Sequence, residues 1–357
     1  MTRNKIYFTP GPSQVYPTVK NHLLNAFEEG VPSISHRSKT FEGIFKECTE
    51  NLREVLSIPK EHSIFFTGSA TAVWDILSLN AIENKSFHLV NGSFSKRFYE
   101  TVGEWKKDAA AHDVNDGFGF RANEIKVPED ADLLALILNE TSTGVQMPSE
   151  EIVALRKTNP RVTLVADGVS AFPAYQLDFR NVDAAYFSVQ KGFGLPAGLG
   201  VLVAAPALLE KAELLRKKGF PVGSYQSLHA ITEKAASNQT PETPNVLGIY
   251  LLAKVTGDML KKGMNIIRNE SKQKAEILYN ALQSKQGLSP FVQNKPDQSE
   301  TVIVAEVEGG AEHLIARLKE EGIILATGYG KHKSSQIRIA NFPATSVEDV
   351  EELAGLL

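Results

Sequence analysis

The chain has 357 residues, of which 42% are hydrophobic and 22% charged, and its formal net charge at pH 7 is −4. This composition is ordinary for a soluble globular protein, and the length suits one large domain with a smaller one. There is no long basic run, no apolar stretch of membrane-spanning length and no secretory-signal core after Met1, and Cys48 is the only cysteine. We therefore expect a cytoplasmic protein with no nucleic-acid or membrane partner, no disulfide and no metal site.

Helical and strand-like segments alternate along the first two thirds of the chain. Apolar residues at helical spacing predict helices over 18–29, 41–56, 72–82, 95–107 and 149–157. Short apolar runs predict strands over 63–67, 87–91, 133–139, 162–167, 184–189 and 199–204. This alternation predicts an α/β fold with a mostly parallel central sheet and helices on both faces, in which ligands bind at the carboxyl ends of the strands.

The last third of the chain predicts a different arrangement. Helices are expected over 206–218, 226–236 and a long region at 245–284 that Gly263 punctuates. A smaller C-terminal α/β unit follows, with strands over 301–307 and 336–340 and helices over 311–321 and 347–356; Ser346 and Asp349 are spaced as an N-cap pair for the last helix. We expect a large domain over 1–257, which includes the N-terminal segment, and a small domain over 258–357.

Two charged residues follow predicted strands of the large domain. Asp167 ends one strand, and Lys191 follows another and precedes a Gly/Pro-rich stretch. Either charge alone would be typical of a solvated strand end. Together they are what a pyridoxal phosphate enzyme needs, because the lysine amine forms a Schiff base with the aldehyde and the carboxylate keeps the pyridine nitrogen protonated.

Three loops at strand ends carry further candidate groups. Gly68-Ser69-Ala70-Thr71 could hold a phosphate on free N–H groups and hydroxyls, although a small-residue turn before a helix is an equal alternative and no P-loop sequence follows. Phe94 could stack on a flat cofactor ring or simply pack in the core. The polar run 139–144 follows a very apolar strand, so its hydroxyls could bind a cofactor or cap a helix.

Two sets of basic residues are candidates for binding an anion. His36 and Arg37 lie in a polar loop between two predicted helices, where adjacent His and Arg can meet a carboxylate or a phosphate. Arg338 lies between apolar neighbours on a short strand, a position at which arginine often meets a carboxylate. A solvated loop pair and a surface arginine on an edge strand are the respective alternatives.

From Thr9-Pro10-Gly11-Pro12 to Arg338, and most specifically around Asp167 and Gln190-Lys191, the chain resembles the class V aminotransferases, which are fold-type-I pyridoxal phosphate enzymes. The resemblance implies that Lys191 is the Schiff-base lysine and proton carrier and that Asp167 pairs with the pyridine nitrogen. It also implies that Arg338 binds the substrate α-carboxylate. His36 and Arg37 would face the substrate side chain.

The resemblance also implies which residues hold the cofactor. Phe94 would stack on its ring, and Thr141 would bond its phenolic oxygen. The phosphate would be held by Ser69, Ala70, Thr71 and Gln190, together with Gln239 and Thr240 from the partner subunit of a homodimer with shared active sites.

Within the family, the phosphoserine aminotransferase branch of serine biosynthesis is the nearest, and the alanine–glyoxylate and serine–pyruvate branches are alternatives. Relatives in the phosphoserine branch carry an Arg in the phosphate-loop region, where this chain has Ala70-Thr71. Remoter alternatives are a carbon–sulfur lyase, which would need a His in place of Phe94 and a mobile Cys where Cys48 is mid-helix, and a non-catalytic binding protein of the same fold. An NAD-dependent dehydrogenase is disfavoured because no G-x-G-x-x-G follows the first strand.

Overall fold

The computed structural model describes residues 5–357 of the chain. In chain order its strands are β1 (Ile6–Tyr7), β2 (Ser63–Thr67), β3 (Lys85–Val90), β4 (Asp108–Asp113), β5 (Ala131–Ile137), β6 (Asn139–Glu140), β7 (Val145–Gln146), β8 (Thr163–Asp167), β9 (Ala184–Ser188), β10 (Gly200–Ala204), β11 (Leu288–Pro290), β12 (Val302–Val307), β13 (Ile323–Ile324), β14 (Ala326–Thr327) and β15 (Gln336–Ala340). Its α-helices are α1 (Val19–Glu28), α2 (Lys39–Leu56), α3 (Ala70–Asn80), α4 (Ser93–Glu104), α5 (Ser149–Thr158), α6 (Pro206–Lys217), α7 (Leu228–Ala235), α8 (Val246–Lys262), α9 (Met264–Ser284), α10 (Glu312–Glu320) and α11 (Val347–Leu356).

The centre of the molecule is a seven-stranded sheet in the order β2-β10-β9-β8-β5-β3-β4. All its neighbouring strands pair in parallel except β10, which runs antiparallel to both β9 and β2. Strands β8, β9 and β10 are buried along their whole length, as expected for a sheet covered by helices on both faces. The predicted α/β fold with a mostly parallel sheet is confirmed, whereas the edge strand β4 was not predicted, because its Ala-rich sequence carries no β-branched or aromatic signal.

Three helices begin two residues earlier than the sequence pattern predicts, and the first of them is α2, which was expected from residue 41 and begins at Lys39. The helix expected from residue 72 begins at Ala70, because the side chain of Ser69 accepts a hydrogen bond from the backbone N–H of Ala72 and caps it. The helix expected from residue 95 begins at Ser93. Phe94 and the last two residues of the predicted phosphate loop, Ala70 and Thr71, therefore lie in first helical turns rather than in open loops.

The C-terminal part of the chain forms an antiparallel sheet in the order β11-β12-β15-β14. Helices α9, α10 and α11 contribute to its hydrophobic core. The capping box of Ser346 and Asp349 is present at the start of α11, as predicted. The long helical region breaks at Gly263, whose φ of 94° is in the region that glycine tolerates best, so α8 and α9 are separate helices. The predicted domain boundary near residue 257 stays a prediction.

The N-terminal segment connects the C-terminal unit to the central sheet. Strand β1 pairs in parallel with β13, and the backbone of Phe8 donates to Ile324 O (2.9 Å) and accepts from Ala340 N (2.7 Å). The chain then turns through 10–12 and reaches the loop after β9, where Ser13 N donates to Gln190 O (3.1 Å). Within residues 5–357, no helix is both long and apolar enough to cross a membrane.

Candidate active site

Asp167 and Lys191 lie at the carboxyl-end edge of the central sheet, as the strand pattern predicts. Asp167 is the last residue of β8, and Lys191 follows β9, the next strand of the sheet. Both side chains are buried, with 4% and 9% of their residue surfaces exposed. Since an isolated buried charge is costly, an acid and an amine buried this close together indicate a functional site.

The carboxylate of Asp167 has few protein partners. It accepts a hydrogen bond from Val169 N (2.8 Å), and the hydroxyl of Tyr186, its register partner on β9, lowers its pKa. Burial raises the pKa of Asp167 to about 7, against the opposing effect of these donors and of the Lys191 ammonium. A cation placed beside this carboxylate would restore its ionised form.

The amine of Lys191 lies beneath the N-terminal segment. Nζ donates a hydrogen bond to Pro10 O, and the aliphatic side chain lies against the backbone of Gly11. Burial, followed by the charge of Arg338, lowers the pKa of Lys191 to about 8. A substantial fraction of this amine is therefore neutral near pH 8, which a nucleophile or a proton acceptor requires.

Phe94 faces the same space from the first turn of α4. Lys191 Nζ lies 5.9 Å from the centre of its ring. The ring also contacts Tyr329, with 5.4 Å between ring centres, and the guanidinium of Arg338 lies 5.1 Å from the centre of the Tyr329 ring. These contacts place three of the predicted site residues, Lys191, Phe94 and Arg338, around one space.

The first turn of α4 is held by Glu140, a residue whose role was not predicted from the sequence. Its carboxylate is completely buried and accepts from the backbone of Phe94 (3.4 Å) and from the backbone (2.9 Å) and hydroxyl (3.0 Å) of Ser95. It also accepts from the backbone (3.1 Å) and hydroxyl (2.6 Å) of Ser142. A Cβ on Gly92 would lie 2.5 Å from Glu140 Cγ, so only glycine leaves room for this carboxylate. An acidic side chain at a helix N-terminus is also favoured by the helix dipole.

The predicted phosphate-binding residues surround the N-terminus of α3. The side chain of Ser69 caps the helix, Ala70 N donates to the Ser188 hydroxyl (2.7 Å), and Thr71 is exposed. Gln190 Oε1 is buried without a hydrogen-bond partner in the described part of the chain. The N–H groups at the N-terminus of α3 favour an anion such as a phosphate ester, whereas the unpartnered oxygen of Gln190 can only accept and needs a donor.

Thr141 is buried beside this space, but its hydroxyl is already engaged. It donates to the Ser170 hydroxyl (2.8 Å), which donates to Asn139 O (2.9 Å) and accepts from Asn139 Nδ2 (2.7 Å). A ligand oxygen that needs a donor from Thr141 would have to displace the bond to Ser170. The role predicted for Thr141 stays a prediction.

Arg338 extends from β15 toward the site. Its Nε donates to Thr327 O (2.9 Å), and Nη1 lies 3.5 Å from Thr141 O. Burial lowers the pKa of Arg338, although an arginine stays charged in this range. Among the residues that the structure describes, its hydrogen bonds go to backbone carbonyls rather than to a carboxylate, which leaves its charge for an anionic ligand.

Arg37, which follows His36 in the sequence, is joined to the two residues expected from the partner subunit. Arg37 Nη1 donates to Gln239 Oε1 (2.9 Å) and to Thr240 O (2.7 Å), and Gln239 Nε2 donates to Glu42 (2.9 Å). Burial and the neighbouring Arg37 lower the pKa of His36. Residues 240–245 also line a cavity of about 100 Å³ together with Gly68. The structure thus joins Arg37, Gln239 and Thr240 into one unit of the same chain, and over residues 5–357 no hydrogen bond or ion pair connects this unit with Lys191.

Two further basic residues lie near the mouth of the site and were not predicted. His332 Nε2 and Lys331 Nζ both lie 2.9 Å from the carboxylate of Asp116. They follow Tyr329 and Gly330, and a Cβ on Gly330 would come within 3.9 Å of the Ser93 hydroxyl in the first turn of α4. Their loop between β14 and β15 has no periodic pattern, so no sequence signal connected them with the site.

Comparison with known proteins gives consistent matches over the whole chain. The sequence profile described as Aminotransferase class-V matches residues 116–353. A solved phosphoserine aminotransferase from Cytophaga hutchinsonii is 44% identical, with 99% of this chain and 98% of that chain covered and a TM-score of 0.98. A phosphoserine aminotransferase from Corynebacterium glutamicum (strain R) is 29% identical, with 98% of this chain and 93% of the relative covered. An aspartate aminotransferase from Thermus thermophilus shares the fold, with a TM-score of 0.86, 24% identity and coverage of 98% and 97%.

Proposed function

Because the chain belongs to the class V aminotransferases, we propose that it transfers the amino group of O-phosphoserine to 2-oxoglutarate, with pyridoxal phosphate as its cofactor. The observation that carries this proposal is the burial of Asp167 and Lys191 at adjacent strand ends, with Phe94 and Arg338 facing the same space. The choice of phosphoserine is supported by the relative of 44% identity, which is itself a phosphoserine aminotransferase.

The residues of the site fit pyridoxal phosphate in their chemistry. Within residues 5–357 no ion pair involves Asp167, so its carboxylate can meet a protonated ring nitrogen, and the N-terminus of α3 favours an anion. Asp167 would hold the ring nitrogen and Phe94 would cover the ring. The phosphate would be held by Ser69, Ala70, Thr71 and Gln190. When bound, the cofactor supplies a ring that takes up the negative charge left when a proton leaves the substrate Cα.

Lys191 would move that proton. Its Nζ, whose pKa burial lowers to about 8, would take the proton from the substrate Cα and donate it to the carbon that carried the cofactor's aldehyde. The carboxylate of Asp167 would stabilise positive charge on the ring nitrogen, in a buried site where electrostatic interactions are strong. The side chains packed around both groups exclude water from them.

Arg338 would bind the α-carboxylate of either substrate, because a guanidinium can engage a carboxylate with two parallel hydrogen bonds. The phosphate of phosphoserine carries up to two negative charges and requires further cations. His332 and Lys331 at the mouth of the site are candidates within the same protomer. His36 and Arg37 are candidates together with the 239–240 loop that Arg37 holds.

One observation favours a different substrate. Ala70-Thr71 occupies the phosphate-loop region in which phosphoserine aminotransferases carry an Arg. An alanine–glyoxylate or serine–pyruvate aminotransferase would not need that cation, so alanine or serine as amino donor is the second candidate.

We also propose that the protein lies in the cytoplasm and acts in serine biosynthesis. We propose further that it forms a homodimer in which Gln239 and Thr240 of each protomer complete the phosphate site of the other. Because Arg37 is bonded to both residues, it would move with them. Mixing the inactive variants Lys191→Ala and Thr240→Ala under conditions that exchange subunits tests the shared site. If sites are shared, about a quarter of the sites become intact and activity returns to that extent. If each protomer uses its own Thr240, activity stays absent.

The substrate is tested by the absorbance spectrum of the purified protein during titration with O-phosphoserine. We expect a visible absorbance band from the lysine-bound cofactor. Phosphoserine should convert this band to that of the amine form at a lower concentration than alanine or serine does. The absence of any such band from cofactor-saturated protein would overturn the cofactor assignment. A band that responds to alanine or serine but not to phosphoserine would establish the second candidate.

A further inference from the structure

Three buried side chains form a connected series beneath the candidate site. Trp74 Nε1 on α3 donates to the hydroxyl of Tyr186 on β9 (2.7 Å). Tyr186 and Asp167 are register partners on neighbouring parallel strands, so their side chains project from the same face of the sheet. All three residues are at least nine-tenths buried.

Hydrogen-bond chemistry fixes the direction of this series. An indole N–H can only donate, so the oxygen of Tyr186 must accept from Trp74. The single phenolic proton is then free to be donated elsewhere, and the carboxylate on the same face of the neighbouring strand is that of Asp167, whose pKa the Tyr186 hydroxyl lowers. Asp167 also accepts from Val169 N, so two donors already face its carboxylate.

We propose that Tyr186 and Trp74 are positioning residues that hold Asp167 as the anionic partner of a protonated ring nitrogen. The inference rests on the proposed function, because that nitrogen belongs to pyridoxal phosphate. Burial alone favours the neutral acid, since it raises the pKa of Asp167 to about 7. A hydroxyl that donates to the carboxylate opposes this effect and fixes which oxygen faces the ligand.

Aromatic packing keeps the series rigid. The ring of Phe98 stacks on Trp74 at 5.7 Å between centres and meets Tyr186 edge-on at 6.4 Å. Trp74 belongs to α3, whose N-terminus carries the candidate phosphate site. The series therefore connects the residues expected to bind the phosphate with the residue expected to bind the ring nitrogen, and fixes the separation between them.

The test compares two ligands on the cofactor-free protein. Pyridoxal phosphate has the ring nitrogen, whereas 1-deazapyridoxal phosphate has a C–H in its place. Tyr186→Phe removes only the hydroxyl, and we expect the affinity for pyridoxal phosphate to fall about tenfold, as for loss of one hydrogen bond to a charged group. The affinity for the deaza analogue should stay unchanged, because that ligand makes no use of the charge on Asp167.

A second variant and a control complete the test. Trp74→Phe should weaken pyridoxal phosphate binding less than Tyr186→Phe and again spare the analogue. Trp105→Phe, at the other tryptophan, whose Nε1 bonds the exposed Asp75, should change neither affinity. Equal losses for both ligands would mean that Tyr186 only maintains the shape of the site, and no loss for either would mean that it has no role; both results overturn the inference. A wild-type protein that binds neither ligand would instead overturn the proposed function.

Discussion

The backbone of Gly11 lies directly against the side chain of Lys191. A Cβ built on Gly11 would be 2.5 Å from Lys191 Cε, and φ of 139° is a conformation that glycine adopts far more readily than other residues. The same turn presents Pro10 O to Lys191 Nζ. The N-terminal segment therefore forms part of the pocket that holds the Lys191 side chain, although about 180 residues separate the two in sequence.

Gly11→Ala should displace Lys191 rather than unfold the chain, because the overlapping atoms belong to a flexible side chain. We expect the rate of covalent cofactor incorporation to fall at least tenfold, measured from the visible absorbance after mixing. Backbone strain should cost about 1–3 kcal/mol of stability. Gly30→Ala is the matched control, since Gly30 also has a positive φ (71°) but open space around it. Equal incorporation by the two variants would argue against a role for Gly11 in placing the lysine.

The lowered pKa of Lys191 predicts the pH dependence of cofactor incorporation. Only the neutral amine attacks an aldehyde, so the rate of incorporation should rise with pH and level off above about pH 8. An ordinary lysine, whose pKa is 10.5, would show a rate that continues to rise up to that pH.

Lys191→Ala should bind cofactor non-covalently and have no turnover. Lys274→Met is the control, because Lys274 is also buried with a pKa of about 8 but bonds Phe342 O and Thr345 O away from the site. That variant should lose stability and keep the incorporation profile.

Asp167 should make the cofactor-free protein less stable as pH rises from about 4 to 7. Burial raises its pKa from 3.8 to about 7, so the folded state binds more protons than the unfolded state in this window, and stability falls as pH increases through it. Asp167→Asn should raise Tm at pH 8 and leave it unchanged near pH 3. Asp116→Asn should behave oppositely, because hydrogen bonds to Lys331 and His332 lower the pKa of Asp116 despite its partial burial. Thermal unfolding across this pH range measures both.

The same aspartate should be needed for turnover. Asp167→Ala removes the charge that would stabilise the protonated ring nitrogen, and we expect the proton-transfer step to slow by several orders of magnitude. The rate of the half-reaction with saturating amino acid measures that step. A loss of only a few fold would place the partner of the ring nitrogen elsewhere.

Glu140 should contribute strongly to stability through the first turn of α4. Glu140→Ala would leave the buried donors of Ser95 and Ser142 unsatisfied, and we expect a loss of about 3 kcal/mol in the free energy of unfolding together with weaker cofactor binding. Glu104→Ala, at the exposed end of the same helix and paired with Arg97, should cost much less stability, because an exposed ion pair contributes little. Similar losses from the two variants would contradict the role given to Glu140.

Arg338→Lys should raise the KM for amino donors at least tenfold, because an ammonium cannot reproduce the two parallel bonds of a guanidinium to a carboxylate. The turnover number at saturation should fall less than the ratio kcat/KM. Arg317→Lys, an arginine that bonds Leu356 O on the surface, should change neither constant. An unchanged KM in Arg338→Lys would assign the α-carboxylate to another cation.

The positions of Asp167 and Lys191 after strands could be predicted, because a short apolar run followed by polar residues indicates the end of a buried strand from local sequence alone. The partners of these residues could not. Tyr186 looks like any strand aromatic, and its contact with Trp74 joins residues 112 positions apart. Glu140 lies in a run of polar residues, and the sequence does not indicate which of them is buried. Only the packing of Glu140 against Gly92 in the structure shows this.

The errors in element boundaries have a physical cause as well. Periodicity indicates where apolar residues face a core, but the cap decides where a helix begins. Ser69 and Gly92 start α3 and α4 two residues earlier than the apolar pattern does. The loops between β14 and β15 and after β4, which bring His332 to Asp116, have no periodicity at all.

The path of the N-terminal segment has a consequence for the order of events during synthesis. Phe8 is held by Ile324 and Ala340, and this attachment sets the position of the turn that covers Lys191. A nascent chain that has already produced every strand of the central sheet still lacks these two anchors. The surroundings of Lys191 can therefore be completed only after residue 340 has left the ribosome.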